Sequence, residues 1–186
     1  MKISILLILL TLCLSRSGAA IVSKDTLFLS PDKTLQANID YHSDVGAGQV
    51  YLKIRNLQTN AIQECGPILT PVHSVLWSPD SKTIVLIQHM ANGCVPGVAH
   101  VSVEGWKFST IYLPIKGPAR YSVTKVVFIP NGVRLTYRVA ATKLNGTITG
   151  YELTEFDVNA SDFSISKAWK KEIDLDTFVS LGDLSK

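Results

Sequence analysis

Few residues in this 186-residue chain carry reactive chemistry. Four histidines (His42, His73, His89, His100) and three cysteines (Cys13, Cys65, Cys94) are its soft ligands and proton carriers. His42, Ser43 and Asp44 have the residue types of a nucleophilic relay. As sequence neighbours at a strand end they point in different directions and cannot build one, so they read as a polar turn. Between Glu64 and Glu152 only Asp80 and Glu104 are acidic, which leaves no obvious carboxylate pair for glycoside cleavage. The spacings of a nucleophile elbow, a zinc protease helix, a P-loop and a dinucleotide fingerprint are absent. The expectation is a protein that is not an enzyme and carries no cofactor.

The cysteines allow three readings. His89 and His100 flank Cys94, and Cys65 could join them around a metal. Zinc sites built on cysteine normally use short C-x₂₋₄-C or H-x₃₋₅-H spacings, and none occurs here, so no metal is expected. A Cys65–Cys94 disulfide is the preferred reading, ahead of unpaired thiols. It would close a loop of about 30 residues and stabilise by roughly 3 kcal/mol.

That preference rests on compartment. Lys2 precedes a run from Ile3 to Leu14 that is apolar except for Ser4, Thr11 and Cys13, and Ser17-Gly18-Ala19-Ala20 supplies small residues for a peptidase. Residues 1–20 read as a signal peptide cleaved near Ala19 or Ala20, which sends the chain to the periplasm, where disulfides persist. The run is well short of the ~20 apolar residues that span a bilayer. A lipoprotein signal centred on Cys13 is disfavoured because Leu12 is too bulky for the position before it. No other stretch is long and apolar enough for a span.

The elements that must position these residues come from a repeat. Ser30-Pro31-Asp32-Lys33-Thr34 is answered by Ser78-Pro79-Asp80-Ser81-Lys82-Thr83 and more faintly by Ile129-Pro130-Asn131-Gly132, each a turn with proline at its first central position. Alternating strands follow the turns. Leu35, Ala37, Ile39 and Tyr41 oppose Gln36, Asn38, Asp40 and His42, while Val133, Leu135, Tyr137 and Val139 oppose Arg134, Thr136 and Arg138. Thr83 to Met90 is apolar on both faces, as in a strand covered from both sides. Further strands are expected over residues 49–57, 61–65, 99–103, 108–113, 151–158 and 164–172, although 166–173 could also pass for a helix. The chain divides into a signal peptide and one domain, 21–186, with repeats at about 26–70, 71–118 and 119–175.

These residues resemble a known repeat. Val50-Tyr51-Leu52-Lys53-Ile54-Arg55-Asn56-Leu57-Gln58-Thr59-Asn60, followed by Ser74-Val75-Leu76-Trp77-Ser78-Pro79-Asp80-Ser81-Lys82-Thr83-Ile84, is similar to the blade repeat of TolB-type and WD-type β-propellers. Asn56, Asn60 and Ser81 stand where that pattern often has Asp, Gly and Gly. The resemblance implies an all-β fold of antiparallel four-stranded sheets, here a partial propeller-like array of about three blades. Propellers typically close with 4–8 blades, so three leave an open array that is monomeric and capped by residues 21–29 and 173–184, or one completed by a second chain.

Charge and composition narrow the partner. The net charge is +3 and falls to +1 once residues 1–20 and their two basic side chains are removed, which speaks against a bulk polyanion or nucleic-acid binder. Residues 105–151 hold seven basic side chains and no acid, whereas 152–186 hold eight acids and four lysines. Such a polarised chain either steers a charged partner or neutralises itself across adjacent sheets. The segment 89–100 reads as a loop inserted in the second blade. Its His89, Met90, Asn92, Gly93, Val95, Val98 and His100 are the candidate contacts for a protein partner, with turns near 42–48 and 116–121 beside them. In size, compartment and blade character the chain also resembles periplasmic immunity proteins of type VI secretion amidase effectors. That resemblance implies a protein-binding inhibitor that blocks a cell-wall hydrolase; the alternative is a cell-envelope scaffold or ligand-binding module.

Overall fold

Turn chemistry organises the chain. In the computed structural model, which describes residues 26–41, 50–69, 71–90, 93–112, 119–182 and 184, Ser30 Oγ donates to Asp32 Oδ1 at 2.6 Å and accepts from the Leu35 N–H at 2.9 Å. Ser78 repeats both bonds, to Asp80 at 2.6 Å and from the Thr83 N–H at 2.8 Å. Lys33 and Ser81 both sit at φ 60°, so they are equivalent positions, and they occupy the left-handed conformation for which the blade pattern uses glycine. In the shorter third turn Asn131, directly after Pro130, takes the left-handed conformation at φ 63°.

Each turn feeds a meander. β1 (Leu27–Leu29), β2 (Leu35–Tyr41), β3 (Val50–Asn56) and β4 (Ile62–Ile68) pair antiparallel in chain order. β5 (Val72–Trp77), β6 (Thr83–Met90), β7 (Gly93–Ser102) and β8 (Gly105–Thr110) form the second blade. β9 (Ala119–Ile129), β10 (Gly132–Thr142), β11 (Ile148–Asn159) and β12 (Ile165–Ile173) form the third. Among the described residues, the backbones of blades two and three pair at Gly93 and Tyr121, in parallel. The fold is an all-β, partial propeller-like array of three four-stranded antiparallel blades, open rather than closed.

Side-chain alternation builds two dry layers. Ala37, Ile39, Leu52 and Ile54 of the first blade pack with Ile84, Leu86 and Ala99 of the second, sealed by Trp77, Trp106 and Phe108. Val85, Ile87 and Val98 on the opposite side of the second blade pack with Val133, Leu135, Tyr137, Phe156 and Val158 of the third. β6 is therefore covered on both faces, as its sequence demanded. Among the described residues, no helix is long and apolar enough to cross a membrane.

Three expectations change. Residues 89–100 do not form an inserted loop: they continue β6 and begin β7, with only 91–92 between them. Proline and glycines made that stretch look like a loop, but each fits a strand for its own reason. The Pro96 carbonyl accepts from the Ile111 N–H at 2.8 Å, and backbone N and O of one strand residue point to the same side. The missing Pro96 donor thus faces Ile111, just past the last β7–β8 pair, Gly97 with Thr110, and costs the β6–β7 ladder no bond. A Cβ at Gly97 would stand 2.5 Å from the Phe108 ring, and one at Gly93 1.9 Å from the Tyr121 carbonyl oxygen.

The disulfide is the second correction. Cys65 and Cys94 are not bonded to each other and are buried in different layers, Cys65 between blades one and two and Cys94 between blades two and three. With the second blade between them, they have no route to each other. Third, Leu27 to Leu29 is not an outer cap but the first strand of blade one, its Phe28 packed into the inner layer. The strand expected over 164–172 is β12, and a helix lies just beyond it as α1 (Leu175–Ser180), N-capped by Asp174, whose side chain accepts from the Thr177 N–H. Residues 1–20, Cys13 included, lie outside the described residues, as do 21–25.

Candidate functional site

Strand direction decides which connections share an end. The turns after β1 and β5 are neighbours, since the Asp32 N–H donates to Ser81 Oγ at 3.3 Å, and Gln63 at the start of β4 holds the backbone of Trp106 at the start of β8 by two bonds of 2.9 Å. The parallel contact of β7 with β9 aligns the third blade in the same sense. The opposite end therefore gathers the last residues of β2, β6 and β8 and the first of β3, β7 and β9. The strand ends that bracket the turns expected near 42–48 and 116–121, and those of the β6–β7 hairpin, belong to that end. Residues 42–49, 91–92 and 113–118 themselves, with His42, Ser43, Asp44 and Asn92, lie outside the described residues.

The candidate contact residues divide sharply. Val95 and Val98 are buried, so their part is packing, and Gly93 is the close approach between blades. His100 sits near the other end, where its Nδ1 shares a 2.9 Å hydrogen bond with Thr83 Oγ1. Met90 ends β6. His89 remains, exposed, on the last turn of the hairpin beside Gly93 and Cys94.

Around His89 the structure assembles a cluster that includes a residue the sequence reading had left out. Cys94 is the direct cross-strand partner of His89, with Sγ 4.0 Å from His89 Nδ1. His73 comes from β5, where the register slips between Val72 and Ser74. That bulge puts His73 and Ser74 on the same face, turning the His73 ring toward His89, the two centroids 5.4 Å apart at 67°. A ligand-capable atom from each of His73, His89 and Cys94 lies within 4.8 Å of the others. The signal in the sequence was cross-strand: His73 lies one strand before His89, so it is visible only once register is assigned. Neither His100 nor Cys65 belongs to the cluster.

The electrostatics separate the two thiols. Burial pushes Cys65 up to about 11, and its Sγ lies 3.7 Å from the Trp106 carbonyl oxygen, so it is an inert core group. Cys94 faces imidazoles instead. Tyr121 nearby has its phenol raised, first by burial and then by the fields of Cys94 and Tyr112. Tyr137, wholly buried in the same layer, is raised by burial and by Tyr121 and Cys94, and its hydroxyl has no hydrogen-bond partner among the described residues.

Two open clefts occupy the other end, flanking the Ser78–Lys82 turn. One, of about 660 Å³, is lined by Lys82, His100, Phe128, Asn131 and Asn159; the other, of about 640 Å³, by Asp32, Ile62, Lys82 and Trp106.

Among the described ion pairs, Arg134 ties the basic middle to the acidic end, while Lys170 and Lys107 pair outside that junction. Arg134 grips Asp157 through Nε and Nη2 at 2.6 and 2.8 Å, Lys170 pairs with Glu152 at 3.2 Å, and Lys107 pairs with Glu104 at 2.7 Å. Arg138 donates to the Phe178 and Leu181 carbonyls and lies over the Phe178 ring, which fixes α1 against the outer face of blade three.

No family model and no curated protein matches the sequence. Among solved structures, the acylaminoacyl peptidase of Pyrococcus horikoshii is similar at 10% identity and TM-score 0.47, over 80% of this chain and 26% of that one. The β-propeller domain of the trilobed protease from Pyrococcus furiosus is similar at 9% identity and TM-score 0.42, over 81% of this chain and 55% of that one. The chain spans about a quarter of the first and about half of the second. The propeller-like assignment rests on the three meanders and their stacking.

Proposed function

We propose that the chain is an exported protein-binding inhibitor, an immunity protein of the periplasm that blocks a cell-wall amidase delivered by a neighbouring cell. The observation that carries this reading is topological: the strand ends bracketing 42–49, 91–92 and 113–118 all lie at one end of a rigid three-blade stack. Connections held on a packed framework make contact surfaces whose ordering is already met before the partner arrives. Export follows from the signal-like character of residues 1–20.

Affinity purification from periplasm followed by mass spectrometry tests the proposal. The expected result is a stoichiometric cell-wall hydrolase, its activity lost in the complex. Recovery of the chain alone from cells making both proteins would sink it. The two clefts beside Ser78–Lys82 favour a second reading, an envelope docking module that takes a peptide or loop at that end. Substitution of Lys82 separates the two, since it lines both clefts and is remote from the hairpin end: it weakens docking in the second reading and leaves the inhibitor unaffected in the first.

A further inference from the structure

We infer that His73, His89 and Cys94 form a binding site for a single transition-metal ion of the zinc and copper(I) class. One sulfur and two imidazoles are the donor set that such borderline and soft ions select, and hard cations such as magnesium or calcium select against. In a tetrahedral zinc site, metal–sulfur and metal–nitrogen distances of about 2.3 and 2.0 Å place the two ligand atoms roughly 3.5 Å apart. The 4.0 Å between Cys94 Sγ and His89 Nδ1 is within a small side-chain rotation of that value. The mutual 4.8 Å limit on all three ligand atoms leaves a comparably short adjustment for His73.

The backbone supports the same conclusion. His89 and Cys94 are a cross-strand pair, and the β5 bulge at His73 turns a third ligand onto their face, so the ligands come from three adjacent strands of one blade. Bulges of this kind commonly re-aim a side chain at a functional site. Burial is graded across the set, from Cys94 at 2% exposure through half-buried His73 to exposed His89. An ion bound there would have three protein ligands and a fourth position facing outward, as in zinc sites that keep one position open for water or another group. The site does not depend on whether the chain binds a protein.

The test uses the full mature chain, purified without a polyhistidine tag and freed of metal, titrated with Co²⁺ as a spectroscopic probe and with Zn²⁺ and Cu⁺ against chelators. The expected result is one ion per chain, with a thiolate-to-cobalt band in the near ultraviolet. Replacing a group behind a metal ligand costs about 10–100-fold in affinity, so His89→Ala and Cys94→Ala, which remove ligands, weaken binding by more than about 100-fold. His100→Gln and Cys65→Ala leave it unchanged. His89 is exposed, so His89→Ala keeps the test valid if Cys94→Ala disturbs the core. Failure of the unaltered chain to take up any of the three ions, or uptake that survives His89→Ala at full affinity, overturns the inference.

Discussion

Several residues whose types suggested chemistry turn out to hold the frame, and one that was passed over joins the cluster. Ser30, Asp32, Ser78 and Asp80 close turns, and Gly93 lets two blades touch. His89 and Cys94 were legible as ligand types, but the search for short spacings along the chain could not see a set assembled across strands, and a bulge hid His73. Gly93→Ala is expected to destabilise by more than about 2 kcal/mol, because φ is 142° and the new Cβ would meet the Tyr121 carbonyl oxygen at 1.9 Å. Denaturant unfolding of the variant measures it. Asp32 gives a pH prediction. Hydrogen bonds from Ser30, first, and from Thr34 lower its carboxyl from 3.8 to about 2. A carboxylate whose folded pKa is depressed contributes stability above its unfolded pKa and loses it as pH falls through the folded value. The contribution of Asp32 is thus complete above about pH 4 and fades toward pH 2, so Asp32→Asn should flatten that part of the acid limb in unfolding midpoints.

Elements were the most legible level where one face is polar. β2, β3 and β10 alternate cleanly, and their register places Ala37, Ile39, Val50, Leu52, Ile54, Val133, Leu135, Tyr137 and Val139 inward. Legibility failed where strands satisfy special contacts: β7 carries Pro96, Gly93 and Gly97, all turn-type residues, and the two glycines are required by a neighbour rather than by a turn. The strand expected over 164–172 stands as β12, paired with β11. β6 yields a prediction. Ile84 faces the first layer and Ile87 the second, both at 0% exposure. Truncation of either to alanine should cost about 2–5 kcal/mol, an equal penalty on opposite faces that a one-sided strand would not show. Chemical denaturation of the two single variants checks it, and a near-neutral result for one would mean that its layer is not closed.

For the whole molecule, the number of blades was readable from turn spacing and so was a cap on blade three from 173–184, but the ion pairs across the outer face of blade one were not. The outer face of blade one is closed by Lys53 between Asp40 and Glu64, and that of blade three by Arg134 with Asp157 and Glu155 and by α1 over Arg138. Repeat arrays need polar outer faces on their terminal units. Replacing Asp40, Lys53 and Glu64 together by Val, Leu and Leu should expose an apolar sheet and produce concentration-dependent association in sedimentation. A variant that keeps the parent's mass at every concentration would show that charge is not what stops growth.

The Gly93–Tyr121 pair has one more consequence. Within each blade the strands are laced by ladders of hydrogen bonds, whereas the seam between blades two and three depends almost wholly on apolar contact. Apolar contact weakens on cooling. The molecule therefore has a built-in order of failure in the cold: near freezing, amide exchange should quicken first along this seam, while the ladders of each blade still protect their own hydrogens.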